Sequence, residues 1–449
     1  MSDLLSIGAS GVRAYQGALT TTSENIANVG VEGYARRSTR LAEVGAASAN
    51  YRYTGVESGM GVAITGTARS ADAYKTAAVR TASTDLARTE SGAAWLDRIQ
   101  TALTGNQLAT RVTGFFTAAS TLAADPTSGA ARTGMLESGT TVAGAFMATG
   151  RALDQVATDL DSSADQGAAA LNRFGAALAK VNDGLARTGP QSAAAASLAD
   201  QRDQLLERMS ALVDLTVTTD AIGRATVRLG DASASVFVTG TSAGTVTYAR
   251  SAGNVSFAMF RDGLASVVSP NGGALGGIAD GAQRVAEARA DVDAIATGFT
   301  ADVNAFQARG QTLDGTTPGV AMFDTDPASP TEITLALSDP DGIAAAAIGG
   351  GKRDGANLAT LQEARATGRF ESRTTTLIAN NAAAIEQRTL VADAQSAIRD
   401  GALAARDAVS GVNLDTEAVD LLRFQQAYQA SSKVIQVARD IFQTIIGIN

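Results

Sequence analysis

Large apolar residues return every seventh position at both ends of this 449-residue chain. Near the start, Leu5, Val12, Leu19 and Ile26 keep that step, with Gly8, Tyr15 and Thr22 three residues after the first three. Near the end, Leu414, Leu421, Tyr428, Ile435 and Phe442 do the same, with Phe424, Ser431, Ala438 and Ile445 at the companion position. Such a repeat is the seam of a helix that packs lengthwise on another helix. Both ends are therefore expected to be amphipathic helices. The first runs to Asn28, before Gly30 and Gly33 open a loop. Asp415 and Glu417 lie near the start of the second, where the helix dipole favours negative charge.

Between these ends, residues 71–213 read as helix almost throughout. Phe146, Leu153, Leu160, Gly167, Phe174 and Val181 mark another seven-residue seam. A helix over 131–187 would be about 85 Å long at about 1.5 Å per residue. From Val213 the period switches to two: Val213, Leu215 and Val217 alternate with polar residues, then Ala225, Val227 and Leu229, then Val255, Phe257 and Met259. The stretch from Ser251 to Asn254 reads as a hairpin turn. Helix returns over 275–308, and a Pro/Gly/Asp-rich stretch at 310–351 carries one alternating run, Ile333, Leu335 and Leu337. Residues 356–409 resume long helix.

The expected fold class is mainly α with an inserted β domain: an elongated, multi-domain molecule with terminal coiled-coil helices, a long helical-bundle rod and an outer β domain. Residues 1–40 plus 412–449 form the terminal helical polymerisation domain in this reading. Residues 41–213 plus 275–411 form the elongated helical domain, and 214–272 form the insert. Composition agrees, because hydrophobic residues make up 45% but aromatics only 5%, a mix suited to long, alanine-rich helices.

Histidine and cysteine are both absent. Ser/His/Asp and Cys/His catalysis, His- or Cys-ligated zinc and disulfides go with them. The net charge of −9 leaves no basic footprint for nucleic acid or an anionic membrane surface. The opening residues lack a basic stretch followed by a continuous apolar core, so no cleavable signal peptide is expected, and no run of about 18 apolar residues predicts a membrane span. Gly349, Gly350, Gly351 and Lys352 fall short of a phosphate loop, with Ala346 where glycine is needed and Arg353 where Ser or Thr is needed. Asp324 and Asp326, and Asp339 and Asp341, lack the Gly and Glu of a calcium loop and read as turns. Neither a catalytic, a metal nor a cofactor site is expected.

Two segments carry a family resemblance. Asn25-Ile26-Ala27-Asn28, followed by Gly33-Tyr34-Ala35-Arg36, resembles the N-terminal signature of flagellar rod, hook and hook-associated proteins. Its motif residues here are Asn25, Ala27, Asn28, Gly33, Tyr34 and Arg36, with Val31-Glu32 where the family usually shows Thr before Gly-Tyr. The run from Val412 to Ala418, with Leu421 to Ser431, resembles the C-terminal motif of the hook-associated protein 1 family, a family of hook-filament junction proteins. The resemblance implies a structural subunit, not an enzyme. It implies self-assembly into a ring, contact with the hook protein and a second hook-associated junction protein, and export to the extracellular flagellum. It further implies an export chaperone on the C-terminal helix. The assembly interface is then expected at Leu5, Val12, Tyr15, Leu19, Ile26, Leu414, Leu421, Phe424, Tyr428, Ile435, Phe442 and Ile445. A hook or rod subunit of the same superfamily is the nearest alternative, and a soluble coiled-coil adaptor is the alternative of another class.

Overall fold

Backbone caps decide where the long helices start and stop. The computed structural model of the protein describes residues 2–45, 59–251 and 254–447. Its helices are α1 (Ser2–Ala27), α2 (Ala73–Gly105), α3 (Leu108–Ala124), α4 (Gly129–Arg187), α5 (Ala193–Ser210), α6 (Gly273–Arg309), α7 (Ala356–Gly368), α8 (Phe370–Ser410) and α9 (Leu414–Ile446). Its strands are β1 (Arg37–Glu43), β2 (Val62–Arg69), β3 (Leu215–Thr219), β4 (Ala225–Leu229), β5 (Val236–Thr239), β6 (Ser242–Ala243), β7 (Thr245–Ser251), β8 (Asn254–Arg261), β9 (Leu264–Val268), β10 (Gly310–Gln311), β11 (Phe323–Asp326), β12 (Ser329–Leu335) and β13 (Ala346–Ala347). The chain is thus mostly helical, with small antiparallel sheets.

The helix expected over 71–213 divides into α2 to α5. Asp72 caps α2 by accepting from the N–H groups of Tyr74 and Lys75; Ser128 caps α4 through Ala131, and Ser192 caps α5 through Ala195. The breaks fall at Gln107, which takes a left-handed φ of 52°, and at the Asp125-Pro126 and Gly189-Pro190 steps. The helix expected over 356–409 likewise divides at Arg369, with φ 48°.

At 59 residues, α4 spans about 88 Å. It buries Phe146, Leu153 and Leu160 as expected, then Ala164, Ala168, Leu171, Gly175, Leu178 and Asn182. Val181 stays inside, whereas Gly167 and Phe174 are only half-buried. The seven-residue seam fails there because a straight helix of 3.6 residues per turn drifts about 20° per heptad from a 3.5-residue repeat.

Two antiparallel sheets, ordered β3-β4-β5-β6 and β7-β8-β9, occupy the segment read as β. Ala225, Val227, Leu229, Phe257 and Met259 are buried, as their alternation requires. Ser251 pairs with Asn254, while the central residues of that expected turn, 252 and 253, lie outside the described residues. The sheets lie along α4. Asn172 donates to the Val246 carbonyl at 2.8 Å and accepts from its N–H at 2.7 Å, and Asn182 does the same for Ala225 at 2.8 Å each way. Phe237, Phe257 and Met259 belong to the same apolar cluster as Leu171, Leu178 and Leu275. In the 310–351 stretch, β11 pairs with β12, burying Ile333 and leaving Leu335 half-buried; Leu337 is buried just beyond. Periodicity gives no sign of the β1–β2 hairpin, because β1 reads RSTRLAE, mostly polar, with a register shift after Arg40.

The apolar core concentrates its aromatics. Phe299 lies 5.3–6.1 Å, centroid to centroid, from Phe115, Phe116, Phe146, Phe323 and Phe370. At the start of α4, Arg132 is 1% exposed, and burial pulls its guanidinium below the usual arginine range. It donates to the carbonyls of Pro126, Pro340 and Ile343, pinning the 340–343 loop to the start of α4. Phe299→Ala is expected to destabilise the protein by about 3–5 kcal/mol through lost burial and a residual cavity, read from urea unfolding.

Asp280 of α6 bridges Arg88 of α2 at 3.1 Å and Arg388 of α8 at 3.0 Å. Burial pushes its carboxyl up, but the two guanidinium groups outweigh that and hold it below the usual carboxylate range. Its folded pKa is lower than its unfolded one, so its contribution to stability is present above the unfolded value and is lost as pH falls through the folded one. The stability gap between the parent and Asp280→Asn is therefore expected to be constant near neutral pH and to close below about pH 4, measured by denaturant unfolding across pH.

Candidate assembly interface

The two terminal helices meet antiparallel, with Gly8 against Ile435, Tyr15 beside Phe424 at 6.5 Å, and Asn25 bonded to Glu417. On α1 the contact face is small. Gly8, Gly11, Ala14, Ala18, Thr22 and Asn25 are the buried positions. A Cβ on Gly8 would lie 2.7 Å from Ile435 Cγ1, and one on Gly11 would lie 2.5 Å from Ser431 Oγ, so this close approach requires glycine. The large residues of the expected α1 seam, Leu5, Val12, Leu19 and Ile26, sit half-buried on its flanks. This corrects the expectation that they form the seam: the contact lies one position round the helix, on Gly11, Ala18 and Asn25 with Gly8 and Thr22, where smaller side chains admit the partner helix.

On α9 the expected seam fares better. Leu421, Phe424, Tyr428 and Ile435 are half-buried along the stripe that meets α1, and Ala438 is buried. Leu414, Phe442 and Ile445 are about half exposed (50%, 51% and 49%), so the structure does not bring them into the helix pair. A second apolar stripe points outward: Val419, Leu422, Val434, Val437 and Ile441 are all exposed.

The Asn-x-Ala-Asn and Gly-Tyr-x-Arg residues close the end of this pair. Asn25 is 1% exposed. Its amide donates to the Arg37 carbonyl at 2.8 Å and to Glu417 Oε2 at 3.0 Å, while its oxygen accepts from the Tyr34 hydroxyl at 2.9 Å and the Arg37 N–H at 3.0 Å. All the capacity of a buried amide is used. Burial raises the pKa of Tyr34, against the pull of Arg37, and keeps it a donor at neutral pH. Asn28 donates to the Glu24 carbonyl from its side chain, ending α1, and Ala27 is exposed at the last helical position. Gly33 holds φ at +74°, in a loop where a Cβ would meet the Gln204 side chain at 2.6 Å. Arg36 Nε lies 2.5 Å from Glu417 Oε1, and Arg36 Nη2 lies 3.2 Å from Asp420 Oδ2.

Glu417, 1% exposed, is the residue that sequence reasoning missed. Its place near the start of α9 suggests only a helix-dipole role, yet it stands seven residues before Phe424, on the companion line of the seam. A carboxylate on a seam position signals a buried partner. Among the described residues no group of three or more His, Cys, Asp or Glu side chains is placed to hold a metal ion. Glu417→Ala leaves Arg36 without its buried carboxylate and is expected to cost the helix pair about 3 kcal/mol. Amide exchange should quicken in α1 and α9 while α4 keeps its protection.

The model of the flagellar hook-associated protein FlgK helical domain matches residues 94–323, through α4, both sheets and α6, and that of the flagellar basal body rod FlgEFG protein C-terminal region matches residues 406–448. A flagellar hook-associated protein 1 from Escherichia coli is 30% identical over 226 residues, covering 49% of this chain and 40% of that protein. The Salmonella typhimurium protein of that name is 27% identical over 327 residues, covering 70% and 58%, and the Bacillus subtilis one is 24% identical over 487 aligned positions, covering 97% and 96%. The chain thus spans 40% and 58% of the lengths of the first two relatives. With the helical-domain match alone running over more than half of its 449 residues, from 94 to 323, the chain belongs to the flagellar hook-associated protein FlgK family.

Proposed function

We propose that this chain is a structural subunit of the bacterial flagellum, not an enzyme, and that it joins hook to filament by packing its terminal helix pair against neighbouring subunits. The observation that carries the reading is the outward stripe of α9. Val419, Leu422, Val434, Val437 and Ile441 stand exposed on a helix whose other face is already filled by α1. Burying one such side chain stabilises by about 1.5–3 kcal/mol, so the exposed stripe supplies a strong drive for association. In this reading the half-buried Leu5, Val12, Leu19 and Ile26 of α1, and the half-exposed Leu414, Phe442 and Ile445 at the two ends of the α1-facing stripe of α9, also meet neighbouring subunits.

The subunit forms a ring of copies between the hook protein and a second hook-associated protein, outside the cell, and an export chaperone covers α9 before assembly. Residues 1–40 plus 412–449 make the polymerisation domain, supported by the β1–β2 hairpin against α1, where Val62 donates to Ser10 Oγ at 3.1 Å. Residues 41–213 plus 275–411 make the elongated domain, coiled along α4, and 214–272 make the insert. The insert covers Leu171 and Leu178 of α4, so it also supports the rod.

Ile435 is a poor probe of this interface, because its side chain meets Gly8 of the same chain. Val437, 54% exposed, is a clean one. Val437→Asp is expected to leave monomer melting unchanged and to abolish filament attachment in cells, since burying an unpaired carboxylate costs several kcal/mol, about 3 or more. Gln436→Asp, also exposed and one step round the helix, should retain attachment. Normal attachment of Val437→Asp would show that this face meets no neighbour.

A further inference from the structure

One side of α8 is bare among the described residues. Toward the body the helix turns Arg388 and Arg406, which meet Asp280 at 3.0 Å and Glu207 at 2.8 Å. Away from it stand Leu390 and Ile398, 65% and 63% exposed. Alongside them runs an acidic line, Glu386, Asp393, Asp400 and Asp407, all exposed and each seven residues from the next, so about 10.5 Å apart. Single apolar residues on a surface are ordinary. An apolar strip edged along a helix by one sign of charge is the pattern of a helix that meets a partner helix.

The complement stands on the same chain. Arg173, Lys180 and Arg187 of α4 are exposed at the same seven-residue step, on the side opposite the buried Leu171, Leu178 and Leu185. Lines of equal step drift about 20° per heptad in the same sense, so they stay matched along two packed helices. Arg187 is held by Asp183 within α4, while Asp400 pairs with Arg399 and Asp407 with Arg406. The side chains of Glu386, Asp393, Arg173 and Lys180 have no ion pair or hydrogen bond among the described residues. The two lines also overlap along the rod: α6 sets Leu275 against Gly167 of α4 and, little more than a turn on, Asp280 against Arg388 of α8.

We propose that the outer face of α8 docks on the outer face of α4 in a second copy of this chain, acidic line against basic line. Within one chain the two faces cannot meet, because α8 is packed on α2, and α4 on α5 and α6. Leu390 and Ile398 supply apolar area to the contact, and the charges beside them set partner and orientation. Two different faces that fit each other join copies head to tail, and such a contact continues into a ring or a helix instead of stopping at two. The proposal rests on the reading of the chain as a subunit that assembles with its own copies, but it concerns the body and makes no use of the α9 stripe.

Charge reversal of the four free residues tests the contact in the full chain. Glu386→Lys with Asp393→Lys is expected to lower filament attachment in cells at least tenfold, and Arg173→Glu with Lys180→Glu to do the same. All four positions are exposed, so thermal melting of each purified monomer stays at the parent value. Combining the two reversed pairs in one chain restores the match of opposite signs and is expected to recover attachment. Normal attachment of either reversed pair, or a loss that the combined variant does not recover, overturns the contact. Normal attachment of the reversed pairs beside failure of Val437→Asp removes this contact and leaves the subunit reading standing, whereas normal attachment of all of them removes both.

Discussion

A single carboxylate ties together two ends of the chain that are 392 residues apart. Glu417 is almost fully enclosed, and its two oxygens are taken by the Asn25 amide and the Arg36 guanidinium. Burying a charge is costly unless it is paired and its lone pairs are filled. Every element around it follows from that requirement. α1 must end near Asn25 to present the amide, the Asn28–Gly33 loop must turn the chain so that Tyr34 and Arg36 return, and Asn413 must start α9 by capping the N–H groups of Asp415 and Thr416. The two motifs of the sequence, far apart along the chain, are the two halves of one buried polar cluster.

From that cluster the helix pair runs back along a narrow seam. Gly8 and Gly11 bring the backbones close, and the contact consumes small side chains on α1 while leaving large ones on both helices unburied. A pair shaped only for its own stability would do the reverse. The close approach gains van der Waals contact, but each half-exposed Leu, Val or Ile withholds about 1.5–3 kcal/mol of burial until another surface arrives.

Much of this is legible in the residues. Seven-residue steps locate α1, α9 and α4, and the switch to a period of two locates β3, β4 and β8 in the 214–272 segment, because both periods come directly from backbone geometry. The motif residues Asn25, Tyr34 and Arg36 are legible by resemblance, without their partners. What stays hidden depends on tertiary context. The helix break at Arg369 is a left-handed residue with no proline beside it, and the β1 strand is mostly polar, with no residue fully buried to set an alternating pattern. The small-residue seam is hidden because a stripe read by hydrophobic size favours Val12 over Gly11, whereas helix approach favours the reverse. The aromatic cluster at Phe299 draws on α3, α4, α6, α8 and β11, five separate elements that no local pattern connects.

The terminal pair takes no part in the body's apolar cluster, and this separation sets which of the two opens first. Within the body α3 with α4 and β7 with β8 join neighbours in sequence, whereas α2 with α6 and α2 with α8 close long loops of their own. The α1–α9 pair must close a loop of nearly the whole chain, and the entropy lost in loop closure grows with length, though only slowly. Its interior holds small residues and one polar cluster, and it borrows nothing from the body's apolar cluster. With so small an interior and no share in that cluster, the pair is expected to open before the body does. A unit so placed is suited to be delivered open and completed by contact with its neighbours, because the same exposed stripe that leaves it marginal alone is what a neighbouring subunit would bury.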